Sequence, residues 1–131
     1  MEKITENDFI KFWLENGILH STFQKSTDMT LDKIKELIVM RTAISEGEKQ
    51  YWYYDITRLK NFPKEARDYA DLHGQEYLYA TAVLVNSHIT KFIFNTFLKL
   101  KSANFPFQVF TSKEKAIEWL LEVKQKNDKN L

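Results

Sequence analysis

Two apolar runs, Tyr51-Trp52-Tyr53-Tyr54-Asp55-Ile56-Thr57 and Tyr79 through Val85, constrain this chain more than any other feature. Each has the length of a strand and neither alternates strictly with polar residues, which predicts central strands covered on both faces. Such a covering takes helices, and helical stripes flank both runs. Thr30 has the chemistry of an N-cap, and Asp32 puts negative charge in the first turn, where the helix dipole favours it. Leu31, Ile34, Leu37, Ile38 and Ile44 follow at helical spacing, and Gly47 is placed to end the helix. Pro63 suits the opening turn of a second helix with Ala66, Tyr69 and Ala70 inward, closed by His73-Gly74. Ser87 caps a third, carrying Ile89, Phe92, Ile93, Phe97 and Leu100. After a break from Asn104 to Pro106, Phe107 to Phe110 reads as the last strand. Thr111-Ser112-Lys113-Glu114 is a capping box, and Ala116, Ile117, Leu120 and Val123 form the inner stripe of a final helix.

Ahead of the first run lie two β-prone segments, Phe9 to Leu14 and Ile18 to Phe23, separated by Asn16-Gly17. That pair supplies the positive φ angles of a tight hairpin turn. The element order is therefore ββαβαβαβα. It predicts an α/β fold with a mixed five-stranded sheet, an antiparallel hairpin first and parallel βα units with right-handed crossovers after it. A length of 131 residues suits one domain. With no repeat or linker, residues 1–131 are expected to form it, and the polar tail from 124 to 131 is expected to fray.

Composition removes several functions. With no cysteine, disulfides, thiolate metal sites and cysteine nucleophiles are excluded. MEKITENDFI has acidic residues and no apolar core, unlike a secretory signal, and no run approaches a membrane span. The expectation is a cytoplasmic protein with no integral membrane association. A net charge of +1 exerts no general pull on nucleic acid, and Lys91, Lys99 and Lys101 fall on different sides of their helix. No nucleic-acid partner is expected.

Catalytic and metal chemistry find little support. His20, His73 and His88 stand on different elements without ligand spacing, so no metal is expected. Ser87 and Ser112 are explained as helix caps, and no nucleophile elbow is present. Gly17, Gly47 and Gly74 are each accounted for by a turn or a helix end, leaving no phosphate-cradling loop. No catalytic residue and no cofactor is expected, and the chain is not read as an enzyme.

The hairpin-first order, with a buried strand ending in Asp55, resembles the STAS domain, the fold of the anti-sigma-factor antagonist SpoIIAA. Leu84-Val85-Asn86-Ser87, Pro106, Phe110-Thr111 and Ala116 through Trp119-Leu120 are similar to an uncharacterised bacterial family grouped with STAS-like and SEC14-like domains. In the antagonists, a strand-end aspartate leads to a loop whose serine is phosphorylated to release the partner. Asp55 matches the aspartate, but the loop here reads Leu59-Lys60-Asn61-Phe62-Pro63-Lys64, without Ser or Thr. The resemblance thus implies the scaffold of a non-catalytic regulatory module, not its phospho-switch.

Two places are expected to carry binding. On the third helix, Phe94 and Leu98 fall beyond the inner stripe, which suits a protein contact; the resemblance adds a homodimer. The alternative, taken from the SEC14-like side of the resemblance, is an apolar small molecule or lipid held under this helix by Phe92, Phe94 and Phe97. The second place is the loop from Thr57 to Lys64, at the carboxyl end of a central strand, where open α/β sheets place ligands. Arg58, Lys60 and Lys64 make it basic, and Phe62 is its aromatic.

Overall fold

The computed structural model describes residues 3–88, 90, 91 and 105–130. The hairpin forms as the sequence predicts. Strands β2 (Ile10–Glu15) and β3 (Ile18–Phe23) pair antiparallel through Asn16 and Gly17, whose φ angles of 54° and 78° are those of a tight hairpin turn. Ahead of them, β1 (Ile4–Glu6) pairs antiparallel with β2 and adds a strand that the sequence pattern does not predict. Three residues with polar neighbours carry no readable period; only the pairing identifies them.

Past a two-residue strand β4 (Thr27–Asp28), helix α1 spans Leu31–Ser45, with the Thr30 hydroxyl accepting from the Lys33 N–H as N-cap. It ends on two left-handed residues, Glu46 at φ 50° and Gly47 at φ 80°. The apolar runs become β5 (Gln50–Asp55) and β7 (Leu78–Leu84), and between them lie a short β6 (Leu59–Asn61) and helix α2 (Lys64–His73). Strand β8 (Phe107–Phe110) and helix α3 (Lys113–Lys129), capped by Ser112, close the chain.

The main sheet has six strands in the order β1-β2-β3-β5-β7-β8, and every pairing after the hairpin is parallel. A separate parallel pair joins β4 to β6. The residues expected at 124–131 as a frayed tail are instead helical to Lys129. Asn127 Nδ2 donates to Tyr51 Oη at 2.9 Å, and Lys124 pairs with Asp128, which ties the last turns down.

Alternation along β5 divides the core. Trp52 and Ile56 face α1 and α2 with Phe12, Leu19, Leu37 and Val83. Tyr51 and Tyr53 face α3 with Ile18, Ala80, Ala82 and Leu120. The small alanines of β7 let α3 approach the sheet closely, whereas the α1–α2 face carries bulk.

The third helix of the sequence reading lies mostly outside the described residues, and Phe92, Phe94, Phe97 and Leu98 with it. At its start, Ser87 Oγ accepts from the Thr90 N–H at 3.3 Å, the cap that the sequence predicts.

Candidate functional site

A cavity of about 160 Å³ lies between the inner faces of α1 and α2 and the sheet. Helix α1 contributes Ile34, Leu37 and Ile38 because these recur every three or four residues and fall on one side. The floor is the same-facing set of the parallel strands: Trp52 and Tyr54 from β5, Thr81 and Val83 from β7, Phe107 from β8. Leu59 and Phe62 line it from the segment between β5 and α2. Apolar side chains thus make up most of the wall.

Arg67, Asp71, Gln75 and Thr81 are polar members of the wall, and Arg41 is the most deeply buried charge on it. It stands three residues after Ile38 and four after Leu37, in the middle of the apolar stripe, and is fully buried at 0% exposure. Its guanidinium lies over the Trp52 ring, 5.1 Å from the centroid. Nη1 donates to the Glu76 carbonyl at 3.0 Å and Nη2 to the Gly74 carbonyl at 2.9 Å, so Arg41 ties down the chain that leaves α2. Nε is buried without a hydrogen-bond partner. Burial lowers the Arg41 pKa to about 10, which leaves the side chain charged at neutral pH. Beside it, burial pushes the Tyr54 phenol well above its ordinary range, so that group stays neutral.

The sequence reading passed over Arg41 because arginine is ordinarily a surface residue. Its signal was positional: a charge on the inner stripe of an amphipathic helix must find buried partners or bind something.

The segment from Thr57 to Lys64 is ordered by its own contacts. Asp55 Oδ1 accepts from the Thr57 N–H at 2.9 Å and from the Thr57 hydroxyl at 2.7 Å, so the strand-end carboxylate holds the turn. Arg58 reaches back to the Phe23 carbonyl at 3.3 Å, and Lys64 pairs with Asp68 at 2.8 Å along α2. Lys60 is exposed, while Phe62 is half-buried against the core and lines the cavity. The three basic residues therefore point to different tasks, and the aromatic belongs to the cavity wall.

Comparison with known proteins agrees with this architecture. A family described as a domain of unknown function, DUF7793, matches residues 12–124. The chain belongs to that family. No curated protein matches it. Among solved structures it is similar to an uncharacterised protein of the DUF3478 family from Shewanella loihica PV-4, described as having a SpoIIAA-like fold. That similarity has a TM-score of 0.64 and 13% identity over 92% of each chain. The SpoIIAA-like fold expected from the sequence is thus shown. Among the described residues of this DUF7793 member, no helix is long and apolar enough to cross a membrane.

The histidines do not converge in this family member. His73 ends α2 against Tyr69, with ring centroids 4.5 Å apart, and His88 is exposed. His20 is buried on the opposite sheet face from the cavity, stacked on Trp13 at 5.1 Å and set edge-on to Tyr53 at 5.4 Å. Its Nδ1 has no hydrogen-bond partner. Burial lowers its pKa from 6.5; Lys113 lowers it further and Glu15 acts in the opposite direction. Folding therefore favours neutral His20, and that share of stability is complete above the unfolded value of 6.5. It is lost as pH falls from there toward the folded pKa. The melting temperature should drop between pH 7.5 and pH 5, and less steeply in His20→Phe; equal slopes in the two proteins would remove His20 as the cause.

Proposed function

We propose that this protein is a non-catalytic binding module on a SpoIIAA-like scaffold, whose cavity between α1, α2 and the sheet takes a small, largely apolar ligand. The observation that carries this reading is the cavity itself. An apolar cavity of about 150 Å³ is large enough to hold a benzene ring, and this one has about 160 Å³. Leu59 and Phe62 place part of its wall in the Thr57–Lys64 segment, whose Lys60 faces solvent. Occupancy and a surface suited to a protein partner are therefore joined in one short stretch of chain. In this reading the partner contact, whether a second copy or another protein, is what the ligand regulates; Arg58, Lys60 and Lys64 are its exposed residues, and Phe62 links them to the cavity. The apolar residues Phe92, Phe94, Phe97 and Leu98 belong to the same reading from their sequence positions alone.

The test is titration of the protein with benzyl alcohol, followed by the indole N–H resonance of Trp52, which lines the cavity. Saturable movement of that resonance, absent in a variant with the cavity filled by Val83→Phe or Thr81→Leu, is the expected result. A Trp52 resonance that responds neither to benzyl alcohol nor to benzoate would sink the reading.

A further inference from the structure

Three observations fall on the wall of the same cavity, around Trp52. Arg41 is charged and fully buried; among the described residues no carboxylate lies within ion-pair distance of it, and the Glu76 carboxylate acts on it only from farther off. Its two bonds to carbonyl oxygens satisfy part of the guanidinium and leave Nε without a partner. Thr81, which is 1% exposed and also lines the cavity, has a hydroxyl with no partner. Trp52 joins the two, because Arg41 lies over its ring and Thr81 is its paired neighbour on β7.

A buried guanidinium with no close carboxylate and one N–H unmet is costly, and an unmet buried hydroxyl adds to that. Structural anchoring of α2 accounts for the two carbonyl bonds, and the Trp52 ring for one face of the guanidinium. Neither accounts for an unpartnered Nε and an unmet hydroxyl on the wall of the same cavity. A ligand with a carboxylate at one end of a small apolar body would satisfy both: the anion accepts from Arg41 Nε and from the Thr81 hydroxyl, and the body fills the apolar remainder.

We infer that the cavity selects a small apolar carboxylic acid, bound as its anion by Arg41 and Thr81. This rests on the reading of the cavity as a ligand site and names the class of ligand. The cavity volume limits the body to about one aromatic ring or a short alkyl chain.

The matched probes are benzoate and benzyl alcohol, which share the ring and differ in charge. Each is titrated against the full chain at neutral pH by the Trp52 indole resonance. Benzoate should bind at least about tenfold more tightly than benzyl alcohol, a typical increment for one charge-assisted contact. Arg41→Met should abolish that preference, Arg41→Lys should retain part of it, and Thr81→Val should reduce it several-fold. If Arg41→Met does not fold, the wild-type comparison and Thr81→Val decide the matter. Equal binding of the two probes, or a preference unchanged in Thr81→Val, overturns the acid selectivity while leaving an apolar site. Binding of neither probe overturns both the site and the selectivity.

Discussion

Trp52→Ala is expected to cost about 3–5 kcal/mol of folding stability, the range for truncating a large core aromatic. A domain of this size has only about 5–15 kcal/mol in total, so the variant should be at the margin of folding. The reason is the number of contacts that converge there. Trp52 stacks on Tyr54 with centroids 4.3 Å apart and on Phe12 at 6.4 Å, carries Arg41 above its ring, and donates from Nε1 to Ser21 Oγ at 2.9 Å. It thereby joins β5 to the hairpin, to α1 and to the cavity. Trp52→Phe keeps one aromatic ring but loses the pyrrole half and the N–H donor, which should cost less than the alanine change, about 1–3 kcal/mol. Urea midpoints of the three proteins test this order. An alanine variant within 1 kcal/mol of the parent would mean that the ring is not packed as described.

Gly74→Ala is expected to be the more damaging of two small glycine substitutions. A Cβ at Gly74 would stand 2.5 Å from the Ala70 carbonyl oxygen, in the turn where the Gly74 N–H already donates to that oxygen at 2.7 Å. Neither group can retreat without opening the end of α2, and the Gly74 carbonyl would then move off Arg41. Overpacking of this kind costs about 1–3 kcal/mol, and loss of the Arg41 contact comes in addition. Gly47→Ala offers the comparison, since φ is +80° there but a Cβ would meet nothing. Only the backbone penalty applies, about 1 kcal/mol. Denaturant melts should place Gly74→Ala below Gly47→Ala, and the reverse order would show that α2 can relax around the added methyl.

How much of this was legible in the sequence depends on whether a feature announces itself locally. Asn16-Gly17 specifies a turn by backbone preference alone, so the hairpin was readable from two residues. Continuous apolar runs mark doubly covered strands, so β5 and β7 were readable too. The strands β1, β4 and β6 were not, because two or three residues have no period and exist as strands only through their partners. The helical continuation to Lys129 escaped for a similar reason: a polar last turn looks like a tail until Asn127 is seen against Tyr51.

The site divides along the same line. Phe62 stood out in the loop and Asp55 at the strand end before it; the geometry puts Phe62 in the cavity wall and has Asp55 hold the turn. Arg41 lay in plain view on the inner stripe, yet a stripe is read by its apolar members, so the charged one was passed over. Thr81 is ordinary β-strand chemistry; only the neighbouring arginine gives its hydroxyl a meaning.

The short strand β1 has a consequence for how copies of this protein meet. It occupies the outer flank of β2, pairing Ile4 with Trp13 and Glu6 with Lys11, and Lys3 is held toward Glu46 by an ion pair of 2.6 Å. Without it, the sheet would end on six residues of β2, including Phe12 and Trp13, with backbone donors and acceptors open to any extended chain. Three mostly exposed residues thus stand where a longer apolar strand would, so this edge offers an extended chain less to pair with.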